Sequence, residues 1–134
     1  MRLIYLSSGM HESGRFKPAN IEADVRGVTY SDTKLHVLML CKAVAIKWKD
    51  VYANTINPGW VPTKMGGPGA PDSLESGYQT QVWLAVSMDE KVQVSGCYFH
   101  HQKAIHSNPE ADDVVLQEQL MDLCKQITGV SFPS

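Results

Sequence analysis

Short β-prone apolar runs alternate with longer helical stretches along the chain, and this alternation constrains the fold more than any other feature. The first run, at residues 2–6, ends in Ser7-Ser8-Gly9 and is typical of a buried strand followed by a turn. The runs at residues 51–57 and 92–99 predict two further strands, the first of them stopped by Pro58-Gly59. We therefore expect about three strands.

Three helical stretches separate and follow these strands. Residues 31–49 contain no Gly or Pro and place apolar side chains at helical spacing, with Ser31 or Asp32 as the expected cap. A second helix is predicted from Ser73 to about residue 86, and a last one opens at Asn108-Pro109. Residues 10–27 are expected to form a loop. Strands that alternate with helices predict an α/β fold with a parallel sheet.

Bulk properties narrow the class of protein. A chain of 134 residues is long enough for one domain, covering residues 1–134, and not for two. The formal net charge of −2 gives no reason to expect a nucleic-acid partner, and no apolar stretch is long enough to predict a membrane span. Three widely spaced cysteines and the lack of a secretory leader favour a reducing, cytoplasmic location.

Three histidines, His100, His101 and His106, fall in one short segment. No cysteine or carboxylate lies near them at metal-ligand spacing, so a polar surface loop is favoured and no metal is expected.

Tyr30 and Lys34 are four positions apart, which places both side chains on one face of the predicted helix. An ammonium near a phenol favours the phenolate, so the pair can act as a general acid and base. A Tyr-x-x-x-Lys pair alone is weak evidence, but two neighbouring features add to it. The Ser7-Ser8 hydroxyls and the turn from Pro58 to Thr63 both follow strands, where open α/β sheets bind ligands.

Four motifs follow one another along the chain: Ser8-Gly9, Tyr30-x-x-x-Lys34, Asn57-Pro58-Gly59 with Thr63, and Gly96-Cys97-Tyr98-Phe99. In this order they resemble the short-chain dehydrogenase/reductase family. The resemblance covers nearly the whole chain, and it is most like the retinol-dehydrogenase-like members. It implies the catalytic, C-terminal half of that fold, a truncated Rossmann-like layer completed by oligomerisation.

The resemblance also implies roles for individual residues. Ser8, rather than Ser7, would bind the substrate carbonyl oxygen, and Tyr30 would transfer the proton. Lys34 would act on Tyr30 and hold the nicotinamide ribose. Four residues would line the nicotinamide end of the cofactor: Pro58, Gly59, Val61 and Thr63. The Gly-rich segment 65–73 would form a mobile substrate lid, with a flexible connection as the alternative.

The 134 residues contain no Gly-rich turn between a strand and a helix, which is where the family would bind the cofactor pyrophosphate. The Gly66–Gly69 cluster follows a loop and is interrupted by Pro68, which has no amide donor. We therefore expect no tightly bound cofactor, with NAD(P)H binding only if a missing half is supplied. The strand at residues 2–6 would then be an open edge, which favours a homodimer or higher oligomer.

Three functions remain open. The first is a cofactor-independent enzyme that activates a carbonyl or enolate of a small apolar compound, for isomerisation, elimination or cyclisation. The second is an NAD(P)H-dependent carbonyl or alcohol oxidoreductase completed by a missing half or a partner chain. The third is a non-catalytic binding partner of related proteins, because a fold does not establish activity.

Overall fold

A four-stranded sheet lies at the centre of the structure, which is a computed structural model that describes residues 1–23 and 25–133. The strands follow chain order: β1 (Arg2–Leu6) is parallel to β2 (Tyr52–Asn57), and β2 is parallel to β3 (Tyr98–His100). A short β4 (Lys103–Ala104) is antiparallel to β3. The predicted α/β class with three parallel strands is confirmed, and β4 is an addition to it.

Helices cover both faces of this sheet. They are α1 (Pro18–Ala23), α2 (Tyr30–Lys47), α3 (Leu74–Val86) and α4 (Val114–Thr128). Short 3₁₀ turns occupy Gly9–Ser13, Val25–Gly27, Glu90–Val92 and Pro109–Asp112. The expectation of a plain loop over residues 10–27 is therefore wrong, because two of these turns and α1 lie there. Among the described residues, no helix is long and apolar enough to cross a membrane.

The N-terminus of α2 is fixed by a capping box that begins at Thr29, before either expected cap. Thr29 Oγ1 accepts from the Asp32 amide at 3.1 Å, and Asp32 Oδ2 accepts from the Thr29 amide at 3.0 Å. The expectation that Ser31 or Asp32 caps the helix is wrong, because Thr29 is the cap and Asp32 is its partner in the first turn. Tyr30 is consequently the first residue of the helix.

The strand expected over residues 92–99 is shorter than predicted and starts at Tyr98. Gly96 has a φ of +76°, a left-handed conformation that interrupts an extended chain. The buried Asn54 side chain also bonds the segment before β3: Nδ2 donates to the Val94 carbonyl and Oδ1 accepts from the Cys97 amide. These bonds supplement two backbone bonds to β2, from the Gly96 amide to the Ala53 carbonyl and from the Thr55 amide to the Cys97 carbonyl.

The last helix also begins later than predicted. Asn108 caps only the 3₁₀ turn Pro109–Asp112, by accepting from the Glu110 amide. Asp113 then caps α4, because its Oδ1 accepts from the amides of Val115 and Leu116. Two caps in succession divide the predicted helix into a turn and a helix.

Apolar side chains join α2 and α4 to one face of the sheet and α3 to the other. Burial of such side chains supplies most of the stability of a layer of this kind. The α2 and α4 face contains Leu35, Leu38, Met39, Tyr98, Leu120 and Leu123. The α3 face contains Ile56, Leu84, Val92 and Phe99.

We predict that Gly14→Ala destabilises the fold. A Cβ at Gly14 would lie 2.4 Å from the Ser31 carbonyl oxygen in the first turn of α2, so the backbone must move. The expected loss is about 1–3 kcal/mol in the free energy of unfolding, measured by urea denaturation. Gly27→Ala is the matched control, since a Cβ there meets nothing within 4 Å. Equal stability of the two variants would contradict this packing.

Within the described residues, no strand pairs with the outer edge of β1. The Met1 carbonyl accepts from the Tyr52 amide and the Ser7 amide donates to the Ile56 carbonyl, so odd-numbered residues of β1 face β2. The amides and carbonyls of Arg2, Ile4 and Leu6 therefore point to the open edge. An unpaired edge of this kind favours pairing with another strand.

We expect this 134-residue chain to self-associate through that edge. Leu6→Pro removes an outward-facing amide without removing a β1–β2 hydrogen bond, so it should shift the population toward monomer. Analytical ultracentrifugation at micromolar concentration measures this shift, with Leu6→Ala as the control for loss of the side chain. A stable wild-type monomer would contradict the expectation.

Candidate functional site

The ends of β1 and β2 bring two candidate segments to the same level of the sheet. Leu6 is in register with Ile56, so Ser7-Ser8 and Asn57-Pro58 leave the sheet side by side. A Cβ added to Gly9 would lie 3.2 Å from Asn57 Nδ2, which shows how closely the two turns approach. The two segments therefore form one edge, at the carboxyl ends of parallel strands.

Ser7 and Ser8 have different surroundings. Ser7 is buried, and its Oγ donates to the Lys34 carbonyl at 2.8 Å, which fixes the end of β1 to the first turns of α2. Ser8 is only partly buried, and its Oγ accepts from the Met10 amide at 3.2 Å. The Ser8 hydroxyl proton is thus free to be donated to a ligand, whereas the Ser7 proton is engaged.

Tyr30 and Lys34 lie one turn apart at the N-terminus of α2. Half of the Tyr30 side chain is exposed, and Lys34 Nζ is 5.5 Å from the centroid of its ring. The ammonium is therefore close enough to the ring for an electrostatic attraction. Because Ser7 bonds to the Lys34 carbonyl, the end of β1 and the Tyr30/Lys34 face are held in one region.

The turn after β2 is held by Asn57. Its Oδ1 accepts from the Gly59 amide at 2.9 Å, and its side chain also hydrogen-bonds to the Tyr98 hydroxyl. Gly59 has a φ of +87°, which favours glycine, and Asp72 Oδ2 would lie 2.6 Å from an added Cβ. The path of the Pro58-Gly59 turn is thus set by contacts on both sides.

Val61 and Thr63 lie on the segment that follows this turn. Val61 packs against α3, since a Cβ on Gly77 would lie 2.7 Å from its Cγ1. Thr63 Oγ1 accepts from the Gly66 amide at 3.1 Å, so its hydroxyl stabilises the loop itself. The Thr63 hydroxyl keeps its proton and a second oxygen lone pair beyond this bond.

The predicted lid belongs to a longer loop, and hydrogen bonds between Trp60 and Asp72 close the base of that loop. The Trp60 amide donates to Asp72 Oδ2 at 2.8 Å, and the Asp72 amide donates to the Trp60 carbonyl at 2.9 Å. Met65, between them, is 89% exposed. A fixed base with an exposed tip is compatible with a lid, and its movement remains a prediction.

Two buried groups, Tyr98 and Cys41, resist ionisation. Burial raises the pKa of Tyr98 to about 12, although its hydrogen bond with Asn57 opposes the shift. Burial likewise raises the pKa of the Cys41 thiol to about 11. These groups remain protonated at neutral pH, so Tyr98 is a structural hydroxyl and Cys41 an unreactive thiol.

The clustered histidines lie away from the Ser8 and Tyr30 side chains in sequence and contact other partners. His100 Nδ1 is 3.1 Å from the Asn57 carbonyl oxygen, and its ring lies 3.8 Å from that of His101. His101 is 3.8 Å from Asp72 in an open polar cleft with Ser76 and Thr80. Within the described part of the chain, no three His, Cys, Asp or Glu residues are grouped to hold a metal ion.

Sequence reasoning missed the buried polar residues beneath the site. His11 and Asn108 are buried and hydrogen-bonded to each other, and Asn57 and Tyr98 are joined by their side chains. Asn57 and Tyr98 belonged to quoted motifs, but their spacing indicated no contact between them. No local pattern marked His11, since its partner Asn108 is 97 residues away.

Comparisons with known proteins agree with the family resemblance and with the fold. The chain is 36% identical over 99% of its length to the short-chain dehydrogenase chyC of Penicillium rubens, and it covers 54% of that protein. It is 34% identical over 99% of its length to the short-chain dehydrogenase chry4 of Gibberella zeae, again covering 54%. Carbonyl reductase [NADPH] 1 of Sus scrofa is 35% identical over 58% of this chain. No family model matches the chain.

Solved structures share the fold at lower identity. An uncharacterized protein from Mycobacterium paratuberculosis superposes with a TM-score of 0.75 at 19% identity, over 99% of this chain and 52% of the other. Carbonyl reductase Sniffer of D. melanogaster gives a TM-score of 0.50 at 20% identity, over 79% of this chain and 40% of the other.

The mostly parallel sheet and its flanking helices form a truncated Rossmann-like α/β layer. The chain belongs to the short-chain dehydrogenases/reductases, and it spans about half the length of the full-chain relatives that it matches. The resemblance seen in the motifs is therefore confirmed. The roles of the individual residues remain predictions.

We predict that Asp32 stabilises the start of α2 in a pH-dependent manner. Burial would raise the pKa of its carboxyl, but hydrogen bonds from Thr29 and from the Arg15 amide outweigh it, so the pKa is below its ordinary value of 3.8. A group with a depressed pKa stabilises the fold fully above that ordinary value and loses the effect as the pH falls through its folded pKa.

Asp32→Asn should therefore lower the free energy of unfolding by about 0.5–1 kcal/mol at neutral pH, and the difference from wild type should vanish in acid. Urea denaturation of both proteins between neutral pH and about pH 2 measures this difference in the free energy of unfolding. The pH range covers the protonation of the Asp32 carboxyl, which is linked to folding. Asp122→Asn, at an exposed position on α4, is the control. A difference that stays constant with pH would show that the carboxylate charge has no role.

Proposed function

We propose that this chain supplies the proton-transfer half of an NAD(P)H-dependent carbonyl reductase that acts on a small apolar carbonyl compound. Two observations support the proposal: the β1–β2 register brings the Ser8 turn beside the Pro58-Gly59 turn, and the Ser7 bond to the Lys34 carbonyl attaches the start of α2, with Tyr30, to the end of β1. Relatives named short-chain dehydrogenase and carbonyl reductase support this reaction class.

Each residue has a chemical task in this proposal. The free Ser8 proton hydrogen-bonds to the substrate carbonyl oxygen and polarises it. The Tyr30 hydroxyl donates its proton to that oxygen as the alcohol forms, and it accepts the proton in the reverse direction. Lys34, with its ammonium beside the ring, stabilises the phenolate that remains after the transfer.

The residues present fit only one end of a nicotinamide dinucleotide. Lys34 would hold the ribose next to the nicotinamide, and Pro58, Gly59, Val61 and Thr63 would line the nicotinamide face. The bound dinucleotide would supply the hydride for the carbonyl carbon. The turn is prepared for such a contact, because Asn57 fixes the Gly59 amide and Asp72 fixes the Trp60 amide.

The other end of the dinucleotide has no place on the described residues. The glycine cluster at Gly66–Gly69 includes Pro68, which lacks an amide, and α3 begins only at Leu74. A pyrophosphate needs amides at a helix N-terminus. The dinucleotide-binding half must then come from further residues of a longer polypeptide or from another chain, as the length of the relatives suggests.

A second candidate is cofactor-independent enolate chemistry by this chain alone. It is favoured by the presence of all three acid/base residues, Ser8, Tyr30 and Lys34, within the described residues. Tyr30 as phenolate would remove a proton from the carbon next to a carbonyl, and Ser8 would stabilise the enolate oxygen. Isomerisation, elimination or cyclisation would follow from reprotonation or loss of a leaving group. A non-catalytic binding role is the remaining alternative.

Tyr30→Phe should abolish turnover while leaving the fold intact. The Tyr30 ring is half exposed, so loss of the hydroxyl alone costs little stability. Loss of a general acid should reduce the rate by about 10²–10⁴-fold. Two assays apply: carbonyl-dependent oxidation of NADPH with a dinucleotide-binding half added, and exchange of α-protons of a small ketone in D₂O without nucleotide.

Tyr52→Phe is the matched control, because Tyr52 is partly exposed at the opposite end of the sheet. Tyr30-dependent NADPH oxidation supports the reductase, and Tyr30-dependent exchange without nucleotide supports the enolate chemistry. Activity that survives Tyr30→Phe in both assays would contradict both proposals. If the wild-type chain has no activity in both assays, only the non-catalytic role is left.

A further inference from the structure

His11 is fully buried, and both of its ring nitrogens are engaged. Nδ1 is 2.8 Å from the Ser8 carbonyl oxygen, and Nε2 is 3.1 Å from the Asn108 amide nitrogen. A carbonyl oxygen can only accept and a backbone amide can only donate. The ring proton is therefore on Nδ1, and the Nε2 lone pair accepts from Asn108.

The partners of His11 connect distant parts of the chain. Asn108 Nδ2 donates to the carbonyls of Glu12 and Gly14, so the 3₁₀ turn after Ser8 is held against the start of the 3₁₀ turn Pro109–Asp112. The His11 ring also lies edge-on to the Tyr98 ring, with centroids 4.8 Å apart. Tyr98 in turn bonds to Asn57, which orders the Gly59 turn.

The Ser8 carbonyl is anchored twice, and both bonds come from His11. The His11 backbone amide donates to it at 3.1 Å, and the imidazole Nδ1 donates at 2.8 Å. The Ser8 hydroxyl has a weaker restraint, a 3.2 Å contact with the Met10 amide at an exposed position. The direction of the hydroxyl therefore depends on how firmly the carbonyl of the same residue is held.

We propose that His11 is a positioning residue for Ser8: its Nδ1–H holds the Ser8 carbonyl so that the Ser8 hydroxyl faces the substrate beside Tyr30. The expected effect of His11 on turnover rests on the proposed function, whereas its hydrogen bond to Ser8 does not. Because His11 is fully buried, it would act on a substrate only through Ser8.

Two amide substitutions separate the two ring nitrogens. In His11→Asn, Nδ2 is close to the position of Nδ1 and can still donate to the Ser8 carbonyl. In His11→Gln, Oε1 reaches toward Nε2 and can still accept from the Asn108 amide, but the donor to Ser8 is lost. Both variants lose the contact with Tyr98, so any loss of stability that comes from the ring is shared.

The first measurement is the Tyr30-dependent turnover of these variants. His11→Gln should lower kcat roughly ten- to a hundredfold with KM little changed, as expected for a displaced catalytic group, and His11→Asn should recover most of the loss. Equal loss in both variants, in proportion to their loss of stability, would show that His11 has only a structural role.

The second measurement does not need activity. Amide hydrogen exchange at Met10, the donor to Ser8 Oγ, should be faster in His11→Gln than in wild type and near wild type in His11→Asn. If wild type has no turnover, the proposed function fails, and this exchange still decides the role of His11. Unchanged exchange in His11→Gln would overturn the proposal.

If both variants fail to fold, the wild-type chain provides the test. Long-range ¹H–¹⁵N NMR correlations of the imidazole should show a protonated Nδ1 and an unprotonated Nε2. A proton on Nε2 instead would break the bond to Ser8 and overturn the proposal.

Discussion

The parallel pairing of β1 with β2 is the interaction on which the rest of the structure depends. Because Leu6 is in register with Ile56, the two turns that follow these strands leave the sheet together. A slip of one residue would turn Ser8 to the other face and would separate it from the first turns of α2. The Ser7 hydrogen bond to the Lys34 carbonyl then fixes the position of α2 along its axis relative to the end of β1. The same bond therefore fixes the position of Tyr30 and Lys34 on the first turns of α2.

Buried polar contacts beneath the edge give the turns their shape. Asn57 bonds to Gly59 and Tyr98, and His11 bonds to Ser8 and Asn108. Satisfied polar groups in a buried setting define one conformation, since any rearrangement would leave a donor or acceptor without a partner. The exposed acid/base residues therefore lie above a layer that is ordered by hydrogen bonds as well as by packing.

Local patterns predicted the parts of this fold that depend on local physics. Neighbouring residues indicated the periodicity of α2, the strand at residues 2–6 and the start of α3 near Ser73. Boundaries failed where one residue overrode a pattern, as Gly96 shortened β3 and Asp113 began a new helix. Tyr30 and Lys34 were predictable because four residues make one turn, whereas His11 was not, since its partner lies far along the chain.

We propose that Ser8, Tyr30 and the Gly59 turn form one site, which would accept the nicotinamide end of a cofactor without its adenosine end. NMR titration of the ¹⁵N-labelled chain with reduced nicotinamide mononucleotide, which has only that end, tests for this site. Amide shifts should be confined to Ser8, Tyr30, Gly59 and their neighbours. Shifts centred on the polar cleft beside Asp72 and His101, or no shifts at saturating ligand, would contradict it.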